Sequence, residues 1–520
     1  MFWVAAISLL ITLVFLAILH YRKAQRYWPD RGIPLYKNPT SLLLVMIKQQ
    51  FDFRQNEVNL YESFKGKKYG GFMEVNNPVL YVTDLDLIKQ VYIKDFDHFI
   101  NRRGMNLEKD DPHMHYSLFN QEGEAWKDLR IKMTPTFTTG KIRRMFTIFN
   151  SSAEKLTKAL ENQISTNQVV EMRPFIQKLT MDVIASAAFG IQSNLFEDPD
   201  SAFAKHALKF QDILQGKAFA KMLVIMVFPR IARLFKIKIT DDEADKFFSK
   251  VIIDALNHRQ KTGQKRDDFL QILLEARSGQ LKQEDDAELD SAETNARLKE
   301  DGTNKSKVML TDDVIIAQCL LFFLAGSDTT ESTVTFALYE LAINPDVQEK
   351  LYQEVKEAVE NNNGEFSYDV ISKLEYLDCV AQESLRKYPA VIRTDRKCNR
   401  PFKLPDSDVV LPVGSLVGIP IYPVHHDPKY WPNPEKFDPE RFTKENSINR
   451  HPCAFSPFGH GPRNCIGSRF ALIEGKAAIA NIVLKFKLEP CDKTMIPIVF
   501  AFHALLKPKD GTPLRLRPRI

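Results

Sequence analysis

Ten residues near the C-terminus, Phe458-Gly459-His460-Gly461-Pro462-Arg463-Asn464-Cys465-Ile466-Gly467, constrain this chain more than any other stretch. Its three glycines accept backbone angles that other residues refuse, so such a loop can lie close against a large flat ligand. One thiol sits in it, Cys465, with an aromatic residue seven positions before and a basic one two before. Ser468–Lys485 then reads as a helix that anchors the loop. A lone cysteine is ordinarily a free thiol in a surface turn, but a ten-residue frame of this kind argues for a ligand loop.

The 520 residues exceed the size at which single cores usually divide, yet no low-complexity linker separates two units. A formal charge of +5 is slight for this length, and the basic residues are dispersed, which speaks against nucleic acid. The six cysteines (Cys319, Cys379, Cys398, Cys453, Cys465, Cys491) form no Cys-x-x-Cys pair. That pattern disfavours zinc and suits a reducing compartment, where Cys465 stays a free thiol.

Residues 2–19 are apolar except for Ser8 and Thr12 and would reach roughly 27 Å as a helix, close to a membrane's hydrocarbon thickness. Residues 1–20 are therefore expected to be a transmembrane anchor. Arg22, Lys23 and Arg26 would keep the rest on the cytosolic side. Residues 21–40, with Pro29, Gly32, Pro34 and Pro39, are expected to be a stiff proline-rich linker, and 41–520 the catalytic domain. Within it, 279–307 is rich in charged and polar residues and reads as a flexible surface loop.

The fold class expected is mainly α with small β-sheets. Residues 72–75 and 79–82 flank Asn76-Asn77-Pro78 as a hairpin, and Asp84 opens a helix. Helical periodicity dominates to about Asn363, with short β-prone pieces at 409–411, 496–500 and 514–516. Residues 218–235 mix an apolar run with Lys221, Arg230 and Arg233. They read either as a core helix or, preferably, as an amphipathic element dipping into a membrane. Thr311 with Asp312 and Asp313 starts a helix of about 33 residues, ending at Asn344-Pro345. Ala325-Gly326-Ser327-Asp328-Thr329-Thr330 is expected to interrupt it, because a glycine and clustered hydroxyls loosen the ladder.

The 458–467 run resembles the haem-ligand loop of the cytochrome P450 family, and the chain is most similar to microsomal, insect xenobiotic-metabolising members. The resemblance extends from the N-terminal run to Ile520. It implies the cytochrome P450 fold and haem b held through the Cys465 thiolate, a ligation that favours O–O cleavage. It also implies oxygen activation at Asp328 and Thr329, the acid helping to deliver protons through water. Glu383 and Arg386, three residues apart on one helical face, would join Arg441 of Phe437-Asp438-Pro439-Glu440-Arg441-Phe442 in a buried structural cluster.

By motif match, Trp126, Arg130, Arg396 and Arg463 are candidates for the haem propionates, with Arg102 or its neighbour Arg103. Ala325, Phe458 and Gly467 would line the haem. Phe119, Leu321, Leu324, Ala390, Val391, Ile392, Phe502 and His503 are the candidate substrate pocket, apolar and hence permissive. His425 and His426 point apart and read as structural rather than metal-binding.

The activity implied is insertion of one atom of O2 into a lipophilic small molecule, in detoxification of xenobiotics or insecticides. Electrons would come from NADPH through a flavin-containing partner reductase, with cytochrome b5 as a further donor. Lys127 and Lys132 are candidates for docking it. A dedicated hydroxylase of an endogenous hormone or fatty acid, and a haem–thiolate isomerase or dehydratase without reductase, stay open as alternatives. The implied location is the endoplasmic reticulum membrane, with the catalytic domain in the cytosol.

Overall fold

Thr311 begins the longest helix among the described residues: its hydroxyl accepts the Val314 N–H, and Asp312 and Asp313 lie in the first turn. This helix, α1 (Asp312–Ile343), ends at Asn344 ahead of Pro345. Apolar residues occur on nearly all its faces, so it runs through the core rather than along the surface. In this computed structural model, residues 8, 12, 15, 19–37, 52–74, 77–105, 107–211, 216–279 and 308–519 are described. The expected anchor at 1–20 and the charged loop at 279–307 lie largely outside them. Among described residues, α1 alone is long and apolar enough to cross a membrane, and its apolar stretch is mostly buried in protein.

The interruption expected in α1 does not occur. Helix Met172–Ile184 packs so closely that a Cβ on Gly326 would lie 2.6 Å from Ile184 Cδ1, which accounts for the glycine. Ser327, Thr329 and Thr333 donate to the carbonyls of Phe323, Ala325 and Thr329 at 2.6, 2.7 and 2.9 Å, so their hydroxyls are satisfied within an unbroken helix.

A five-stranded sheet flanks the helices. Its strands are β1 (Leu35–Tyr36), β2 (Tyr69–Glu74), β3 (Asn77–Val82), β4 (Arg393–Lys397) and β5 (Leu416–Pro420), in the order β1-β2-β3-β5-β4. The hairpin and the Asp84-capped helix (Leu85–Lys89) stand where expected. The linker does not. Residues 29–36 belong to the folded body: Leu35 and Tyr36 pair with Gly71 and Phe72, and Trp28 is buried with its indole N–H donated to Phe72 O. The indole lies where a Cβ on Gly71 would be, 2.2 Å away, so β2 keeps a glycine to receive it. The prolines shape a turn (Pro29–Arg31) that docks rather than spaces.

The β-prone segment 496–500 forms no strand, only the isolated bridge Phe500–Pro508, because Pro497 removes a ladder donor. The other two pieces do pair, Val410–Leu411 with Phe402–Lys403 and Pro513–Pro518 with Phe486–Pro490.

The apolar stretch 218–235 divides at Phe228 into helices Gly216–Val227 and Pro229–Leu234. Ile225 and Ala232 enter a small satellite core with Leu107 and Ile239. Phe228, Ile231, Leu234 and Phe235 stand exposed beside exposed Arg230, Arg233 and Lys236. Elements of both readings are present.

Candidate active site

A cavity of ≈ 1480 Å³ lies against α1 and the 458–467 loop. Pockets for one drug-sized ligand reach about 1,000 Å³, so this one has room for a macrocycle and a second molecule. The loop is shaped by its own sequence. Cys465 N–H donates to Phe458 O at 2.9 Å and Asn464 N–H to Gly461 O at 3.0 Å. Gly461 has φ +74°, and a Cβ there would lie 2.0 Å from Tyr92 O, so only glycine fits. Helix α3 (Ser468–Lys485) follows directly, as its periodicity predicts. Cys465 is exposed, but to the cavity it lines. Burial within the protein pushes its thiol up, while the Gly467 N–H, Arg130 and Arg102 pull it back toward the thiolate. A bound metal would complete that ionisation.

The arginines that line the same cavity include Arg102, Arg130, Arg396 and Arg463. Arg130 is bidentate on Asn464, through the backbone carbonyl at 3.0 Å and Oδ1 at 2.8 Å. Arg102 donates to Arg463 O at 2.8 Å, and Arg396 to Asp395 O at 3.1 Å. Arg463 donates to the carbonyls of Ile100, Phe119 and Gln121, so it ties the ligand loop to its neighbours as well as facing the cavity. Among described residues, Arg102, Arg396 and Arg463 make no ion pair with a carboxylate, and the Nε atoms of Arg102 and Arg396 are buried without a partner. Burial, then mutual repulsion, lowers Arg396 to about 10 and Arg463 to about 8. Buried, unneutralised guanidiniums demand an anion. Arg102 and Arg103 both line the cavity, and partners distinguish them: Arg103 pairs with Glu74 and Asp395, whereas Arg102 has no carboxylate partner among described residues.

A cysteine thiol, unpaired guanidiniums and a large cavity lined by Gly459 and Gly467 fit a dianionic haem. The family model for cytochrome P450 matches residues 37–515. The chain belongs to the cytochrome P450 family. It is 36% identical to cytochrome P450 9e2 of Blattella germanica, over 98% of this chain and 96% of that protein. It is likewise 36% identical to probable cytochrome P450 6a14 of Drosophila melanogaster, over 94% and 95%. Cytochrome P450 6B2 of Helicoverpa armigera is 32% identical over 99% and 98%. This P450 is thus a haem monooxygenase of an insect-like type.

Most residues anticipated for the P450 site do meet in the cavity: Phe119, Trp126, Leu321, Leu324, Ala325, Thr329, Ala390, Val391, Ile392, Phe458, Gly467 and His503 line it. Phe502 does not. Its ring packs on Phe53 with centroids 5.5 Å apart. Asp328 is also outside the wall. Only 1% exposed, it takes Lys507 Nζ on Oδ1 at 2.6 Å, while the same ammonium reaches Glu331 at 2.8 Å and Arg173 reaches Glu331 at 3.3 Å. Burial raises the Asp328 carboxyl and Lys507 draws it down. Sequence reasoning missed this four-charge cluster; a lysine inside Leu505-Leu506-Lys507-Pro508 was the available signal. Lys127 and Lys132 are poor docking charges, being paired with Glu124 and Asp128 on their own helix.

Behind the loop, in helix α2 (Glu375–Lys387), Glu383 and Arg386 form a bidentate pair at 2.7 and 2.8 Å, and both are wholly buried. Arg441 approaches Glu383 at 3.4 Å. His425 bridges onward, its Nε2 accepting Ser456 N–H at 2.9 Å and its Nδ1 therefore donating to Arg386 O at 3.2 Å. His426 stacks on Tyr422, so the two histidines diverge. No group of three or more His, Cys, Asp or Glu side chains placed to share a metal ion occurs among described residues.

Burial keeps three histidines neutral: His425 falls well below its usual pKa, and His426 and His503 to about 3. The unfolded chain binds protons below about pH 6.5 that the native state refuses. Stability is therefore expected to be full above that pH and to fall by ~1.4 kcal/mol per pH unit per histidine as pH drops toward 3. Urea midpoints that stay flat from about pH 6.5 to 5 would contradict this.

Proposed function

We propose that this P450 inserts one atom of O2 into lipophilic small molecules, xenobiotics foremost, on the cytosolic face of the endoplasmic reticulum. A partner reductase supplies two electrons from NADPH. A substrate C–H becomes C–OH, the O–O bond breaks, and the second oxygen leaves as water with two solvent protons. The observation that carries this reading is the joint placement of Cys465, the unpaired arginines and Thr329 around one largely apolar cavity.

When bound, the haem supplies the iron at which O2 is activated, with thiolate ligation favouring O–O cleavage. Cys465 would be its ligand, and Arg102, Arg130 and Arg396 would hold its propionates. Thr329 spends its hydroxyl hydrogen on Ala325 O, so it offers the cavity an acceptor that can hold a water or a proton in transit. Asp328 would restock that site only after loosening from Lys507. A membrane-facing approach is supported by exposed Phe228, Ile231, Leu234 and Phe235, on helices whose Met222 and Met226 line the cavity.

Turnover with NADPH and reductase tests the reading. Thr329→Ala is expected to keep its haem but to lower product per NADPH roughly tenfold or more, the balance appearing as hydrogen peroxide. Unchanged coupling would remove Thr329 from the mechanism. Turnover that needs no reductase would favour the isomerase alternative instead.

A further inference from the structure

We propose that His503 orients substrates in this cavity by donating one hydrogen bond, and that favoured substrates are lipophilic molecules carrying a carbonyl, ester or ether oxygen. This rests on the cavity being the substrate site. The ring's Nδ1 accepts the Leu505 N–H at 3.0 Å. A backbone N–H can only donate, so Nδ1 carries no proton and the neutral ring holds its hydrogen on Nε2. That Nε2–H has no hydrogen-bond partner among the described residues, and the little of His503 that is exposed, 7%, belongs to a residue of the cavity wall. Burial, with Lys507 and Arg173 nearby, keeps the ring neutral, so the donor persists at every physiological pH.

The donor is also fixed in place. Leu506 N–H is held by Ala390 O at 2.9 Å, Leu506 O accepts from Ser332 at 2.7 Å, and Lys507 is locked between Asp328 and Glu331. Around it the wall is apolar, with Ala390, Val391, Ile392 and Leu505. Thr329 and Thr333 have spent their hydroxyl hydrogens on helix carbonyls. An acceptor oxygen that meets His503 satisfies a preorganised buried donor at little further entropic cost.

The test is a binding titration of the ferric holoenzyme, followed by the ligand-induced change in its haem spectrum. The probes are a long-chain methyl ketone and the matching methylidene hydrocarbon, in which CH2 replaces the carbonyl oxygen. Wild type is expected to bind the ketone roughly five- to tenfold more tightly. His503→Phe should bind both alike, while His503→Gln, which retains a donor, should keep the preference. An intact thiolate spectrum in each variant certifies fold and haem loading. A wild type without preference, or a preference that survives in His503→Phe, overturns the role of His503. If neither probe perturbs wild type, the substrate-cavity reading fails, and the proposal fails with it.

Discussion

Arg386→Ala is expected to yield protein with little haem and a fold weakened by about 3–5 kcal/mol, because the wholly buried Glu383 carboxylate loses its bidentate partner and keeps only Arg441, at 3.4 Å. More than one ion pair is lost. Arg386 also donates to His425 O at 2.8 Å and Pro434 O at 2.7 Å, so one guanidinium fastens α2 to the segments leading toward the ligand loop. Glu383 in turn accepts the Asp438 N–H at 2.9 Å. From Arg386 O the link continues through His425 to Ser456, two residues before Phe458. Loosening the origin of that chain displaces the loop that presents Cys465. Haem content per polypeptide and thermal unfolding check the outcome. A full haem complement with an unchanged melting temperature would show that the cluster does not hold the loop.

Cys465→Ser is expected to abolish turnover while leaving the fold nearly intact. The side chain packs little, since it faces the cavity, so its removal costs the core almost nothing. Chemically the change is large. A serine hydroxyl does not ionise near neutral pH, and it lacks the soft sulfur donor that pushes electron density toward iron. Product formation should fall below detection while thermal unfolding of the apoprotein stays near wild type. Activity within tenfold of wild type would contradict the ligand assignment.

Much of this was legible because local rules and tertiary structure agree. The cap at Thr311, the acids after it and the Asn344-Pro345 stop delimit α1 without help from packing. Periodicity gave Ser468–Lys485 its true ends. The motif residues Glu383, Arg386 and Arg441 come together, although spacing alone could not show that the first two are fully buried. What sequence could not show depends on long-range partners. Trp28 is a core residue only because Gly71 leaves space for it, which turns an apparent linker into part of the sheet. Gly326 reads as a helix breaker until Ile184 is seen against it. Arg102 and Arg103 are indistinguishable until Glu74 and Asp395 claim one of them. Lys507 lies 179 residues from the aspartate it holds, beyond the reach of any local pattern.

The central claim is that the Cys465 sulfur ligates the haem iron in this P450. The carbon monoxide difference spectrum of the reduced protein, recorded for wild type and Cys465→Ser in parallel, tests it most directly. Wild type should show the long-wavelength band that thiolate ligation produces, and the variant should lose it. The same band persisting in Cys465→Ser, or absent from fully haem-loaded wild type, would contradict the account.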